Sequence, residues 1–446
     1  MRMITSRALL LAGLSTGLAA PLHAQEAPLA ALLAEADSAN PQIASARRTA
    51  EAAAARVPQA GALPDPMIGV GFMNVPVTNP GLGNDMMTML QLRVGAELPW
   101  PGKLGLSEDA ARLHAEAADW EVERVRQKVR AEVRVAYYQV YFVDRALEVT
   151  GRNEGLVRDF ARLTSVKYGV GTAAQPDVLR AQVERTSLSD QLVALREQRV
   201  SAAARLNALL SRPTDTPVTT VELPEAVRVA ALREEPGGAR FASAALADVL
   251  PAAAPGGGIP SVAELQRLAF NHSPMIRAHV RRVEAQARAL ALAEKAELPD
   301  LSVTAGYSRR AGLGDFFDVM VSAPVPIFSG RKQNQGVFEH AAMLAEHEAR
   351  HDAMVDELNG EIASLAAEAA RARDQLVLLN DGILPQARTG LASATASYQV
   401  GRVDFLTLLD AQVTLYRHEL NYHRLLADFA ANLAALERAV GTEVLR

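Results

Sequence analysis

Apolar positions along the chain follow two spacings. Over long stretches they step by threes and fours: Leu106, Ala110, Leu113, Ala117 and Trp120, then, after a phase slip, Val129, Val133, Ala136, Val140, Val143 and Leu147. In the C-terminal half Val355, Leu358, Ile362, Leu365, Ala369, Ala372, Leu376, Leu379 and Ile383 keep the alternation without a break. Heptads sustained this long predict helices packed along narrow seams, as in coiled coils. An unbroken helix from Lys103 to Lys167 is a rod of about 100 Å at 1.5 Å per residue. Gly151 and Gly155 are the expected points of interruption, since glycine is the poorest helix former after proline.

The second spacing is short. Pro66–Val77, Thr88–Pro99, Leu301–Arg310 and Phe316–Phe328 mix apolar and polar residues and are bounded by Pro, Gly, Asn or Asp, which punctuate strands. Each approaches the roughly 9–11 residues that a tilted strand needs to cross an outer membrane. Four strands cannot close a membrane barrel, which starts at about eight, and lipid forbids an open sheet edge. Strands that span must therefore be shared among chains, and three chains of four strands give twelve. The competing reading is a pair of soluble hairpins capping a helical bundle.

The chain says nearly the same thing twice. Tyr168, Val170, Gly171, Leu179, Ala181 and Gln182 recur as Tyr398, Val400, Gly401, Leu409, Ala411 and Gln412, at a constant offset of 230 residues. Asn40-Pro41 answers Ser273-Pro274, Leu63-Pro64-Asp65 answers Leu298-Pro299-Asp300, and Pro99 answers Pro326. Each half reads helix, strand, strand, long helix, tip, helix, so the chain is a tandem duplication. The first repeat covers 25–211, with strands within about 66–99, a helical hairpin over about 103–211 and a tip near 168–177. The second covers 262–446, with strands within about 301–328, a hairpin over about 331–440 and a tip near 398–410. Between them 212–261 is rich in proline and glycine, which excludes a long helix or central strand. A short helix is expected near Ala242–Leu250.

Composition narrows the function. With 49% hydrophobic residues the chain is no disordered protein. After the N-terminus, the charge-free window of about 18 residues that a membrane helix needs occurs only at 66–84, broken by prolines and glycines. A net charge of −5 argues against nucleic-acid binding. The absence of cysteine excludes disulfides and thiolate sites, and the expected mature protein is not lipidated. Arg2 and Arg7 before the apolar run Ala8–Ala20, closed by Leu22-His23-Ala24, predict a secretory signal peptide over 1–24.

The duplicated tips and the strand-to-helix junctions resemble the TolC family of outer-membrane efflux channels over essentially the whole mature chain. Leu63-Pro64-Asp65-Pro66-Met67 and Leu98-Pro99-Trp100-Pro101-Gly102-Lys103 are similar to its heavy-metal branch, the CzcC- and CusC-like proteins. The resemblance implies a mainly α fold with a small β part: a homotrimer with a long α-helical barrel in the periplasm and a shared twelve-stranded barrel in the outer membrane, with 212–261 in an equatorial region. It implies no enzymatic activity and no cofactor. The implied partners are a periplasmic adaptor, an inner-membrane pump of the proton-driven RND type and outer-membrane lipid. The implied cargo leans to heavy-metal cations, with drug or organic efflux and type I secretion as alternatives. Two rival classes, a soluble helical-hairpin adaptor and a zinc hydrolase, are set against it. An adaptor carries one hairpin and lipoyl-like β-domains, whereas this chain carries two hairpins.

Candidate residues follow. Gly169, Gly171, Pro176 and Gly401 turn the chain at the tips. By resemblance Tyr168, Gly171, Tyr398, Gly401, Arg402 and Asp404 dock the adaptor, and turn chemistry alone accounts for the same glycines equally well. Asp177 and Asp410, just past the turns, are placed by resemblance at the periplasmic aperture, where carboxylate rings favour cations. An acid in a first helical turn is also explained by the macrodipole, which serves Asp177 better than Asp410. Arg402 and Asp404 are an expected ionic latch. His347-Glu348-Ala349-Arg350-His351 matches the zinc-protease pattern His-Glu-x-x-His, but Met354 and Glu357 replace the glycine and third histidine of the extended motif. His340, Met343, His347, His351 and Met354 share one helical face and are candidate soft-metal ligands, against the plainer reading of a solvated face. Met67, Met73, Met86, Met87 and Met89 cluster around the first hairpin, as lining of an outer mouth or as packing material.

Overall fold

The computed structural model describes residues 29–78, 80, 85–219, 222–232 and 259–445. The leader and the helix expected near Ala242–Leu250 lie outside the described residues. Each half begins with a pair of helices. In the first, α1 (Leu29–Ala39) leads into α2 (Pro41–Gly61), which starts because Asn40 accepts the Gln42 N–H and Pro41 fixes the first helical φ. In the second, α6 (Val262–His272) leads into α7 (Pro274–Glu294), again with proline in its first turn. The repeated Asn-Pro and Ser-Pro pairs are therefore the same junction built twice.

Strands β1 (Met67–Met73), β2 (Met89–Leu98), β3 (Leu301–Arg310) and β4 (Phe316–Ser322) form one antiparallel sheet in the order β1-β2-β3-β4. The two halves thus meet in a single sheet, through β2 and β3. Strand β4 is shorter than expected, because prolines at 324 and 326 remove ladder donors beyond Ser322.

The helical hairpins are α3 (Lys103–Gly169) with α4 (Gln175–Leu209), and α8 (Gln333–Leu378) and α9 (Leu384–Gln399) with α10 (Phe405–Val440). Helix α3 runs 67 residues without interruption, so Gly151 and Gly155 do not break it. Gly151 is exposed and Gly155 half-buried, but Val149, Asn153 and Val157 around them are buried, and that packing outweighs about 1 kcal/mol of propensity per glycine. The second hairpin is the one that departs from a regular helix. Leu379–Ile383 forms a π-turn directly ahead of Pro385. The widened turn accommodates a proline ring that would otherwise clash with the preceding carbonyl.

The main core sits mid-rod. Val129, Val133, Ala136 and Val140 of α3 pack there with Leu206 and Leu210, Leu265 of α6, Ile362 and Ala369 of α8, and Phe429, Leu433 and Leu436 of α10. Helix α5 (Glu225–Leu232), in the segment read as linker, adds Val227, Ala230 and Ala231. The Tyr137 hydroxyl donates to the Glu222 carbonyl at 2.9 Å, tying this segment to α3. A smaller cluster of Phe160, Ala181, Tyr398, Phe405 and Leu408 holds the tips.

Candidate conduit and its tips

The register sorts the sheet into two faces. Because side chains alternate along a strand, the pairs Ile68–Val94, Val70–Leu92, Phe72–Leu90, Val94–Ala305, Leu92–Tyr307, Val303–Val321, Ala305–Val319 and Tyr307–Phe317 all lie on one side. That side is apolar apart from Arg309 at one end and the Tyr307 hydroxyl. The other side carries Gln91, Arg93, Glu97, Ser302, Thr304, Ser308, Arg310 and Asp318. There Gln91 donates to the Ser308 hydroxyl at 3.2 Å. The Asp318 carboxylate lies over Gly306, where an added Cβ would come within 2.5 Å of it. Met67, Met73, Met89 and Met320 belong to this polar side, Met73 directly opposite Met89. Met67, Met86 and Met87 are more than half exposed in the single chain, whereas Met89 is half-buried.

The apolar side is bare: Ile68, Val70, Phe317 and Val321 are each more than 60% exposed. Strands β1 and β4 leave both sheet edges unpaired. No helix among the described residues is long and apolar enough to cross a membrane.

A polar clasp joins sheet to helix. The Asp300 carboxylate accepts the Trp100 N–H at 2.7 Å and the Lys103 ammonium at 2.8 Å, and Lys103 also donates to the Leu298 carbonyl at 2.7 Å. The Leu-Pro-Asp motif of the second half is thereby fastened to the Pro-Gly-Lys motif of the first.

At the far end the two tips repeat the same hydrogen bonds. In the first, the Thr172 N–H donates to the Lys167 carbonyl at 2.8 Å and the Gly171 N–H to the Tyr168 carbonyl at 3.0 Å. In the second, the Arg402 N–H donates to the Ser397 carbonyl at 2.8 Å and the Gly401 N–H to the Tyr398 carbonyl at 3.2 Å. Gly171 and Gly401 hold φ of 74° and 75°, the left-handed region where a Cβ is strained, which accounts for both glycines.

The side chains then differ. Tyr398 is buried, its ring under the Lys167 ammonium at 4.4 Å and its hydroxyl 3.1 Å from that of Thr164. Its repeat partner Tyr168 is 48% exposed. Asp404 is not latched to Arg402. It caps α10 instead, accepting the Thr407 hydroxyl at 2.6 Å and the Thr407 N–H at 2.9 Å, and these bonds, the hydroxyl's first, hold its pKa below the usual carboxylate range. Arg402 is exposed, which corrects the expected latch. Asp177 lies in the first turn of α4, and Asp410 is exposed on α10 one turn further in. Neither is among the ion pairs of the described residues.

The histidine stripe of α8 divides. His340 is engaged by the Gln286 amide of α7, which lies 3.3 Å from its Nδ1. His347 and His351 pack on His279 of α7, with ring centroids 6.0 and 5.7 Å away. His279 is only 2% exposed, and Nδ1 of all three rings is buried without a hydrogen-bond partner. Burial above all, then His351 and Arg282, pushes the His279 pKa down, so the ring is neutral near pH 7. His279 was beyond the reach of a single-helix spacing argument, because α7 and α8 are joined only through the sheet. As the rings stand, no group of three His, Asp or Glu among the described residues is arranged to hold a metal ion. Met343 is exposed and Met354 half-buried.

Comparison with known proteins agrees with this geometry. A family model described as outer membrane efflux protein matches residues 32–212 and 265–442, one segment for each half. The cobalt-zinc-cadmium resistance protein CzcC of Cupriavidus metallidurans is 23% identical over 360 residues, covering 79% of this chain and 76% of its own length. Among solved structures, the outer membrane protein VceC of Vibrio cholerae superposes with a TM-score of 0.74 at 18% identity, covering 93% of this chain and 96% of its own. CusC, whose structures concern folding and transmembrane channel formation, gives a TM-score of 0.74 at 16% identity, covering 93% and 92%. The matched family is one of efflux proteins, which sets aside the hydrolase reading of the His-Glu-x-x-His motif. A duplicated pair of helical hairpins carrying a two-faced sheet, matched in both halves, leaves one assignment: the chain belongs to the outer membrane efflux protein family, the TolC-type channels that span the outer membrane and extend into the periplasm.

Proposed function

We propose that this outer-membrane channel passes heavy-metal cations to the exterior. In this reading it works as a homotrimer sharing a twelve-stranded barrel, fed by a periplasmic adaptor and an inner-membrane RND-type pump. The observation that supports the barrel is the sheet itself. One side is apolar and bare, the other polar, and both edges are open, an arrangement tolerable in lipid only if neighbouring chains close the ring. The polar side then lines the lumen.

The cargo reading rests on the relation to CzcC, a cobalt-zinc-cadmium resistance protein. Carboxylates at 177 and 410, near the tips, fit a cation path in which selection is electrostatic rather than by a pocket. The Tyr168 side, exposed in one chain, and the turns at Gly171 and Gly401 are the proposed adaptor-facing surface.

The test is expression in a Gram-negative strain lacking its own metal-efflux outer-membrane channel, with the cognate adaptor and pump supplied. Restored growth in cobalt, zinc or cadmium, without restored tolerance to dyes or detergents, is the expected result. Restored dye tolerance alone moves the cargo to organic molecules. Planar-bilayer conductance of the purified protein, with its mass in detergent, tests the trimeric conduit separately.

A further inference from the structure

The duplication specifies a contact that one chain cannot contain. Within the chain the halves meet along the β2–β3 seam, with Leu92 opposite Tyr307, Arg93 opposite Gly306, Val94 opposite Ala305 and Gly95 opposite Thr304. Each of these strands has a counterpart in the other half. Leu63-Pro64-Asp65 against Leu298-Pro299-Asp300 sets β1 and β3 at an offset of 235 residues, and Pro99 against Pro326 sets β2 and β4 at an offset of 227. In a ring of alternating first and second halves, the β2–β3 seam is followed by a β4–β1 seam. Those two strands are the open edges of this chain.

We propose that β4 of one chain pairs antiparallel with β1 of the neighbouring copy in the register obtained by carrying the β2–β3 seam through these offsets. Val321 then lies opposite Val70 of the neighbouring copy, Val319 opposite Phe72, Met320 opposite Gly71 and Ser322 opposite Gly69. The inference rests on the shared-barrel reading above and specifies what that reading leaves open.

An independent check comes from the faces. Pairing within the chain puts Val70, Phe72, Val319 and Val321 on the apolar side, and Gly69, Gly71, Met320 and Ser322 on the polar side. The carried register matches apolar to apolar at every pair, although the offsets came from proline motifs outside the strands. A slip of one residue would set Val321 against Gly69 or Gly71 and mix the faces. The seams also share a packing device: long side chains, Arg93 in one and Met320 in the other, each stand opposite a glycine.

The clasp at the strand–helix junction extends the seam. Asp300 binds Lys103 across β2–β3. Its counterpart Asp65 is exposed, as is Arg331, one residue beyond the position that answers Lys103 at the offset of 227, and neither has an ion pair among the described residues. Across the β4–β1 seam, Arg331 of one chain reaches Asp65 of the next.

The chain contains no cysteine, so introduced pairs report without background. The full-length protein is made with Val321→Cys plus Val70→Cys, and oxidised in outer-membrane vesicles before denaturing electrophoresis. Paired cysteines need Cα atoms about 4.4–6.8 Å apart, which a direct cross-strand pair meets and a two-residue offset does not. Covalent dimers and trimers are expected from this pair and not from Val319→Cys plus Val70→Cys. Val94→Cys plus Ala305→Cys, an observed intrachain pair, controls for oxidation through loss of free thiol. Multimers from the offset pair instead overturn the register and leave the shared barrel standing. No interchain link from either pair, with the control closed, overturns the seam and the shared barrel together. Asp65→Arg is expected to lower the heat resistance of the trimer, and Arg331→Asp in the same chain to restore it. Failure to restore removes the ion pair from the proposal.

Discussion

Truncating Phe405 isolates what holds the tips. The ring is fully buried between α3, α4 and α9, touching the cluster of Phe160, Ala181, Tyr398 and Leu408, and meets Tyr398 edge-on at 5.8 Å. Phe405→Ala removes that burial and leaves a cavity, a loss of about 3–5 kcal/mol, of which about 1 kcal/mol belongs to the aromatic pair. This cluster is separate from the main core, so the loss falls on local opening of the tips rather than on the whole fold. At about 1.4 kcal/mol per tenfold, tip opening becomes roughly a hundred- to several-thousand-fold more frequent. Hydrogen–deuterium exchange of the detergent-solubilised protein reads this directly. Amides of 165–172 and 396–404 should exchange faster by about two orders of magnitude or more, while those of 129–143 stay unchanged. Phe429→Ala, an equally buried ring of the main core, should do the reverse. Tip exchange left within twofold in Phe405→Ala, or loss of protection spread evenly over both regions, would refute the assignment of the tips to a separate cooperative unit.

Other outcomes follow from the same geometry. Asp177→Asn with Asp410→Asn should weaken cation preference in the reversal potential of reconstituted channels while leaving the trimer intact. Removing either carboxylate without effect would take it out of the aperture. Burial above all, reinforced by Arg145, pushes the His423 pKa down to about 4, so the folded state holds this ring neutral where the unfolded chain protonates it. Its contribution is present above pH 6.5 and is lost as pH falls towards 4, by about 2 kcal/mol once partial exposure is discounted. Melting temperature should therefore fall across that window and flatten in His423→Gln. Gly441 holds a φ of 86°, and a Cβ there would lie 2.5 Å from the His272 carbonyl oxygen, so Gly441→Ala should destabilise the packing of the α10 C-terminus against the end of α6 by several kcal/mol and lower the yield of folded protein. Equilibrium dialysis against zinc or cobalt should show no difference between His279→Ala and the parent, because the rings of His279, His347 and His351 are not arranged to hold a metal ion. A tenfold loss of binding in that variant would make the cluster a metal site.

Much of the site was legible because its signals are local. The left-handed glycines at 171 and 401 were visible as glycines after a tyrosine and a valine, and the tip bonds they permit lie within six residues. The exchange of partners was not legible. Asp404 beside Arg402 reads as an ion pair, yet the orphan N–H of Thr407 three residues on is a better-placed donor for that carboxylate. The unbroken threes and fours from Val355 to Ile383 hide a π-turn, since apolar spacing records which side chains face the seam and not how each carbonyl is bonded. Helix α5 escaped notice because eight residues are too few to display a period, and it exists by packing on α8 and α10.

The sequence alone determined the duplication, the long rods, the four strands and the tip turns, because each depends on residues a few positions apart or on one half echoing the other. Tertiary structure decided which equivalent residues do different work. Tyr398 is buried under Lys167 while Tyr168 is exposed, and Asp300 is clasped by Lys103 while Asp65 is not. The physical reason is that a duplicated chain places its two halves in different surroundings. One half meets its partner within the chain and the other presents the same chemistry at the open edge, a distinction carried by contacts between residues roughly 200 positions apart.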